Sequence, residues 1–293
     1  MESWPRAVRR GGVAAVATAA LTLLLLPKAV LLPALTSAAA TARDMARGTQ
    51  RQAVLAGIRS WPHLSGSGIT VYYAPGLRGG AALVAAAAQR YWPAIRRDYA
   101  LPQDMPAVLI VLSPGAMVRH VGGGYAGAYY EGVDWITAPP AGRAGQDFLR
   151  TGPVPHELTH LANAVAGDGR APAWFNEGLA QYEDWRLTGY VWMEPGSGFA
   201  GPDYTWGELT GTDFYALQNQ ALAYRQALAA TAYICRRGPG VCLRVLHLLR
   251  AGRSMSTALL ATVGAQGLQA LESGHIWRGH NGPQAWTRAG PRP

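Results

Sequence analysis

Lysine is almost missing from this chain: Lys28 stands alone among 26 basic residues, and the other 25 are arginine. Charged residues of either sign make up only 15% of the 293, and the 17 acids leave a formal net charge of +9. That surplus invites a nucleic-acid reading. Beyond the N-terminus, however, no dense basic run with interleaved aromatics occurs, so nucleic acid is not an expected partner. The arginine preference travels with abundant Ala, Gly and Pro, as a GC-rich coding bias produces. There are only two cysteines, with no C-x-x-C and no neighbouring histidine, which excludes a cysteine-built zinc cluster. No G-x-S-x-G element is present either; Ser67 and Ser197 sit in Gly-Ser-Gly, so a serine-hydrolase elbow is unsupported. No internal repeat is visible. A hydrophobic fraction of 49% excludes a chain that is disordered as a whole.

The N-terminus has the pattern of an export signal. Arg6, Arg9 and Arg10 precede a charge-free apolar stretch at residues 11–26, then Pro27, Lys28, a second apolar patch to residue 35 and a small-residue run at 36–40. As a helix the first stretch would span roughly 24 Å, short of a hydrocarbon core of about 30 Å. Residues 1–40 are therefore read as a signal peptide or a retained signal-anchor, with membrane anchoring through residues 11–35 in the second case. Either way the bulk of the chain is expected to be extracytoplasmic. Cys235 and Cys242 fit an oxidising compartment. They flank Gly238, Pro239 and Gly240, a helix stop that would bring the two within disulfide range. Two reduced, buried thiols are the alternative.

Residues 41–67 read as a linker, helical in its first part. From Ile69 the texture changes. Residues 69–74 read as a strand, 80–97 as a helix carrying Pro93, and the continuous apolar run 107–112 as a central strand. Residues 122–125 read as a glycine loop and 127–137 as one further strand. From Asp147 the pattern is helical almost to the end. A small N-terminal β-sheet with a helix, followed by a mainly helical half, predicts an α+β fold.

Chemistry concentrates at residues 153–160 (PVPHELTH), an H-E-x-x-H element. On a helix His156 and His160 lie one turn apart on one face, where both imidazoles can bind one metal. Glu157 then stands where it can take a proton from a bound water. With seven His and eight Glu in the chain, composition alone predicts about 0.005 such patterns. Pro155 suits the start of a helix, and Gly167, Asp168 and Gly169 would stop it. A tetrahedral zinc with one open position needs a third protein ligand. Glu177, in residues 172–182 (PAWFNEGLAQY), follows a glycine-containing loop that lets the chain reverse, and Gly178 beside it permits close helix packing.

Together, PHELTH and WFNEGLA resemble the gluzincin metallopeptidases, and most closely the small bacterial peptidase MA-like domains. Residues 223–227 (AYRQA) are similar to the helix where that family carries a tyrosine, and residues 268–277 (LQALESGHIW) to its closing helix. The resemblance thus covers residues 68–277, the expected zincin-like domain with its metal site between the two halves, leaving 278–293 as a flexible tail. It implies one zinc ion per chain, held by His156, His160 and Glu177. It also implies Glu157 as general base, Tyr224 as a donor to the developing oxyanion, and a peptide or protein substrate. The spacing from His160 to Glu177 is a little shorter than in the zinc aminopeptidases. Their Gly-x-Met-Glu-Asn element is absent, so aminopeptidase activity does not transfer.

Some alternatives stay open at this level. Tyr224 is otherwise an ordinary core tyrosine. Strand 127–137 either pairs with an extended substrate or is simply buried. His247 is expected to pack within its helix, and His275 and His280 to lie at the surface. The runner-up function is a gluzincin-fold surface protein that binds or scaffolds with little hydrolysis. Retention of Glu157 argues against it, because a structural metal site does not need a base.

Overall fold

The run of alternating residues from Ile69 to Tyr73 forms a strand whose odd positions are buried. The next apolar run, Ala107–Leu112, is buried at every position, as expected of a strand covered on both faces. The computed structural model describes residues 49–122, 126–130, 132–139, 143–191, 203–211, 213–274 and 276. The N-terminal stretch read as an export signal, most of the glycine loop after Gly122, Ser197, His275, His280 and the residues expected as a tail lie outside them.

In chain order the elements are α1 (residues 49–58), β1 (His63–Gly66), β2 (Ile69–Tyr73), α2 (Arg78–Asp98), β3 (Ala107–Leu112), α3 (Pro114–Val121), β4 (Gly127–Tyr130) and β5 (Val133–Thr137). There follow α4 (Arg143–Thr151), α5 (Val154–Ala166), α6 (Ala173–Thr188), α7 (Trp206–Gly211), a 3-10 turn (Phe214–Ala216), α8 (Gln220–Cys235), α9 (Val241–Arg250) and α10 (Met255–Glu272). The fold is mixed α+β. Five strands make one sheet in the order β1-β2-β3-β5-β4. β2, β3 and β5 run parallel at its centre, with β1 and β4 antiparallel on the two edges. One sheet face buries Val71, Leu109, Val111 and Ile136 against α2 and the later helices. The other buries Val108, Ile110, Leu112 and Trp135 against Ile58 and Met117, under α1 and α3. Among the described residues no helix is long and apolar enough to cross a membrane.

Several expectations are corrected. The single strand over 127–137 is a hairpin, β4 and β5, because Gly132 takes a positive φ of 78° and reverses the chain. The linker's end carries a strand of its own. β1 pairs with β2 through Ser67 and Gly68, whose φ values of 53° and 76° fit the right-handed twist of a tight hairpin. Pro114 ends β3 and also opens α3, in which Ser113 caps the Ala116 amide. The closing helix stops at Glu272, five residues before Trp277, with Gly274 left-handed just after it. His247 is exposed on α9. Pro93 lies inside α2, as expected. Gly238 to Gly240 do turn the chain between α8 and α9, and a disulfide joins Cys235 to Cys242 with their Cα atoms 5.1 Å apart.

Candidate metal centre

Helix α5 starts just before Pro155 and ends at Ala166, where Asp168 and Gly169 both adopt positive φ. Its sequence is apolar on the faces that meet α2, β4 and α6, so the H-E-x-x-H residues are drawn inside with it. Leu158 and Ala162 are fully buried, Glu157 and His160 nearly so. After the turn, α6 begins behind Pro172 and runs alongside α5, with Trp174 and Phe175 buried as its anchors. Its closest partner on the other side is α8. A Cβ on Gly178 would stand 2.2 Å from Thr231 Oγ1 and 2.5 Å from the Ala227 carbonyl, so the glycine is what lets these two helices touch.

This packing brings the two motifs together. Glu177 Oε2 lies 3.2 Å from His156 Nε2 and 3.5 Å from His160 Nε2. The imidazoles meet edge to face with ring centres 4.7 Å apart. One ligand atom from each of the three residues falls within 4.8 Å of the others, a group that could hold a metal ion. Burial lowers the His156 pKa. Burial also acts on His160, but the Glu177 carboxylate outweighs it and lifts that ring to about 9. Glu177 is driven well below the usual carboxylate range by the two histidines, against its own burial.

Glu157 occupies the first turn of α5, where the helix N-terminus favours a negative charge. Burial nevertheless pushes its carboxyl up to about 8, while the backbone N–H of Tyr129 on β4 helps hold the ionised form. Glu157 Oε2 is buried with no hydrogen-bond partner among the described residues. Beneath it on β5 lies Asp134, fully buried and raised to about 7 by that burial.

Two further residues, Asn163 and Tyr215, shape the site without any sequence signal. Asn163, one turn beyond His160, donates its amide to both the carbonyl and the side-chain oxygen of Asn176, at 3.3 and 2.9 Å. The Asn176 side chain in turn favours the protonated His160 ring. Tyr215, on the 3-10 turn, donates its hydroxyl to Glu177 Oε1 at 2.7 Å. Tyr224, the tyrosine expected at the site, is half-buried on α8 with its ring 5.3 Å from that of Phe214. Burial raises its pKa first and the nearby Glu177 charge second. All five sequence-derived residues therefore lie around one centre. No protein-family model, curated protein or solved structure matches the chain.

Proposed function

We propose that this chain is an exported or membrane-anchored peptidase of gluzincin type, using one zinc ion held by His156, His160 and Glu177. The observation that carries the reading is the convergence of two imidazole nitrogens and one carboxylate oxygen beside a buried glutamate. The donor set fits the ion. Zinc bonds of about 2.0–2.1 Å at tetrahedral angles put ligand atoms about 3.3 Å apart, and the histidine–glutamate separations are 3.2 and 3.5 Å. Two imidazoles and a carboxylate also suit zinc chemically. When bound, the ion would supply Lewis-acid polarisation and a water of lowered pKa.

The protein's own groups supply the rest. Glu157 Oε2, with no hydrogen-bond partner among the described residues, is the atom to receive a proton from water. Its raised pKa suits a group that must also return that proton to the leaving amine. Tyr224 is the hydroxyl to stabilise charge developing on the substrate carbonyl. β4 is the outermost strand on its side of the sheet and sends a backbone amide to Glu157. An extended peptide adding to that edge would lie along the catalytic carboxylate.

The test is metal content by mass spectrometry on the purified protein and on His160→Ala, followed by hydrolysis of an unstructured protein substrate by wild type and Glu157→Gln. One zinc per chain, lost in His160→Ala, is expected. Hydrolysis should fall by roughly 10²–10⁴-fold in Glu157→Gln with the metal retained. A folded, unchelated protein without metal overturns the reading. Full metal loading with no hydrolysis of any unstructured substrate moves it to a surface binding protein.

A further inference from the structure

The two oxygens of the Glu177 carboxylate have different surroundings. Oε2 faces both histidines, whereas Oε1 accepts the Tyr215 hydroxyl at 2.7 Å. Tyr215 is 56% exposed as a residue, so its ring lies at the protein surface while its hydroxyl reaches a buried carboxylate. The turn that carries it is held from both ends. The Asp213 side chain accepts the Tyr215 amide at 3.1 Å. The Gln220 side chain, at the start of α8, donates to the carbonyls of Phe214 and Leu217 at 3.0 and 2.7 Å. Two side chains thus fix a short turn that sets a phenol on a single carboxylate oxygen of Glu177.

We propose that Tyr215 is a positioning residue that keeps Glu177 a one-oxygen ligand, so that its second oxygen does not occupy the place needed by water and substrate. A carboxylate can bind a metal through one oxygen or two. A hydrogen bond that occupies Oε1 opposes the second mode, and outer partners of this kind typically change metal affinity 10–100-fold when removed. Nothing in the sequence marks Tyr215 for this task; it follows from the asymmetry around Glu177. The inference rests on the reading of the three-residue group as a metal centre.

The test uses the full chain loaded with cobalt(II), whose visible absorption is strong in four-coordinate and weak in higher-coordinate sites. Wild type and Tyr215→Phe are compared for cobalt spectrum and for cobalt affinity by chelator competition, with far-UV circular dichroism confirming the fold. A four-coordinate spectrum is expected in wild type. Tyr215→Phe should lose band intensity as Glu177 gains its second oxygen, and should bind cobalt about 10-fold more weakly. An unchanged spectrum overturns the inference, whether affinity falls or not, because a merely stabilising tyrosine would leave the coordination number alone. Failure of wild type to bind cobalt at all would instead overturn the metal-centre reading, and this inference with it. Should Tyr215→Phe not fold, Gln220→Ala, which loosens the turn but keeps the phenol, must reproduce the loss of band intensity for the inference to stand.

Discussion

Gly127 leaves the room that Glu157 occupies. A Cβ at Gly127 would stand 2.7 Å from both Cγ and Oε1 of Glu157, far inside van der Waals contact. β4 therefore runs so close beneath the first turn of α5 that only a glycine fits. Two residues further along the same face, the Tyr129 amide reaches the same carboxylate. The glycine is required here by the approach of a side chain and not by its backbone angles.

Gly127→Ala is accordingly expected to displace Glu157 while leaving His156, His160 and Glu177 in place. Displacements of about 1 Å in catalytic groups can cost about 10²-fold in rate. On the proposed function, the variant should bind zinc as wild type does and lose roughly that factor in hydrolysis. Metal analysis beside a peptidase assay checks both halves. Unchanged hydrolysis would mean that β4 yields and the contact is slack.

Much of this site was legible because its chemistry is local. His156, Glu157 and His160 lie within five residues, and Pro172 with the preceding glycines announces the reversal that returns Glu177. The residues that tune the centre are legible only in three dimensions. Gly127, Asp134, Asn163 and Tyr215 come from β4, β5, the far turn of α5 and an isolated 3-10 turn. No spacing rule links them to the motif. The missed elements have physical reasons too. β1 reads His-Leu-Ser-Gly, with no fully buried position, so its hydrophobic pattern is too faint to register. α3 hides behind Pro114, which serves as strand stop and helix start at once.

At the crossing of α6 and α8, Gly178→Ala should act on stability. Its Cβ would collide with Thr231 Oγ1 and with the Ala227 backbone at 2.2 and 2.5 Å, and backbone does not yield as a flexible side chain does. Overpacking of this kind typically costs 1–3 kcal/mol, occasionally more. Forcing α6 outward also moves Glu177, the preceding residue. The expected result is a lower unfolding midpoint together with weaker zinc retention, followed by urea titration and chelator competition. A variant as stable as wild type would contradict the helix spacing described here.

The disulfide should contribute to stability without touching the centre. Cys235 and Cys242 close a short loop between α8 and α9, for which the chain-entropy argument gives about 2 kcal/mol. Replacing both with serine is expected to lower stability by about that amount while zinc content stays at the one per chain that the proposed function gives. If zinc were lost as well, the α8–α9 turn would be coupled to the site rather than only bracing it.

Asp134 predicts a pH dependence that can be assigned to one residue. It is fully buried, and neither carboxyl oxygen has a hydrogen-bond partner among the described residues. Burial raises its pKa from 3.8 to about 7, while His160 and Arg51 partly offset the shift. Glu157, also facing it from α5, is raised in turn by the Asp134 charge. Below pH 3.8 the carboxyl is neutral in folded and unfolded chains alike, and folding carries no penalty from it. Between 3.8 and 7 the unfolded chain ionises first, so stability falls as pH rises. Above 7 the loss is complete, at about 4 kcal/mol by linkage. Asp134→Asn keeps the shape and removes the charge. In chelated protein, where no added cation perturbs the neighbours, the variant should match wild type near pH 4. By pH 8 it should be more stable by a few kcal/mol. Urea unfolding of the pair at both pH values measures the difference directly and cancels the titration of every group that does not feel the Asp134 charge; Glu157, relieved of that charge in the variant, adds to the difference in the same direction. Equal stabilities at pH 8 would mean that Asp134 ionises at no cost, and therefore that it faces water or a partner in solution.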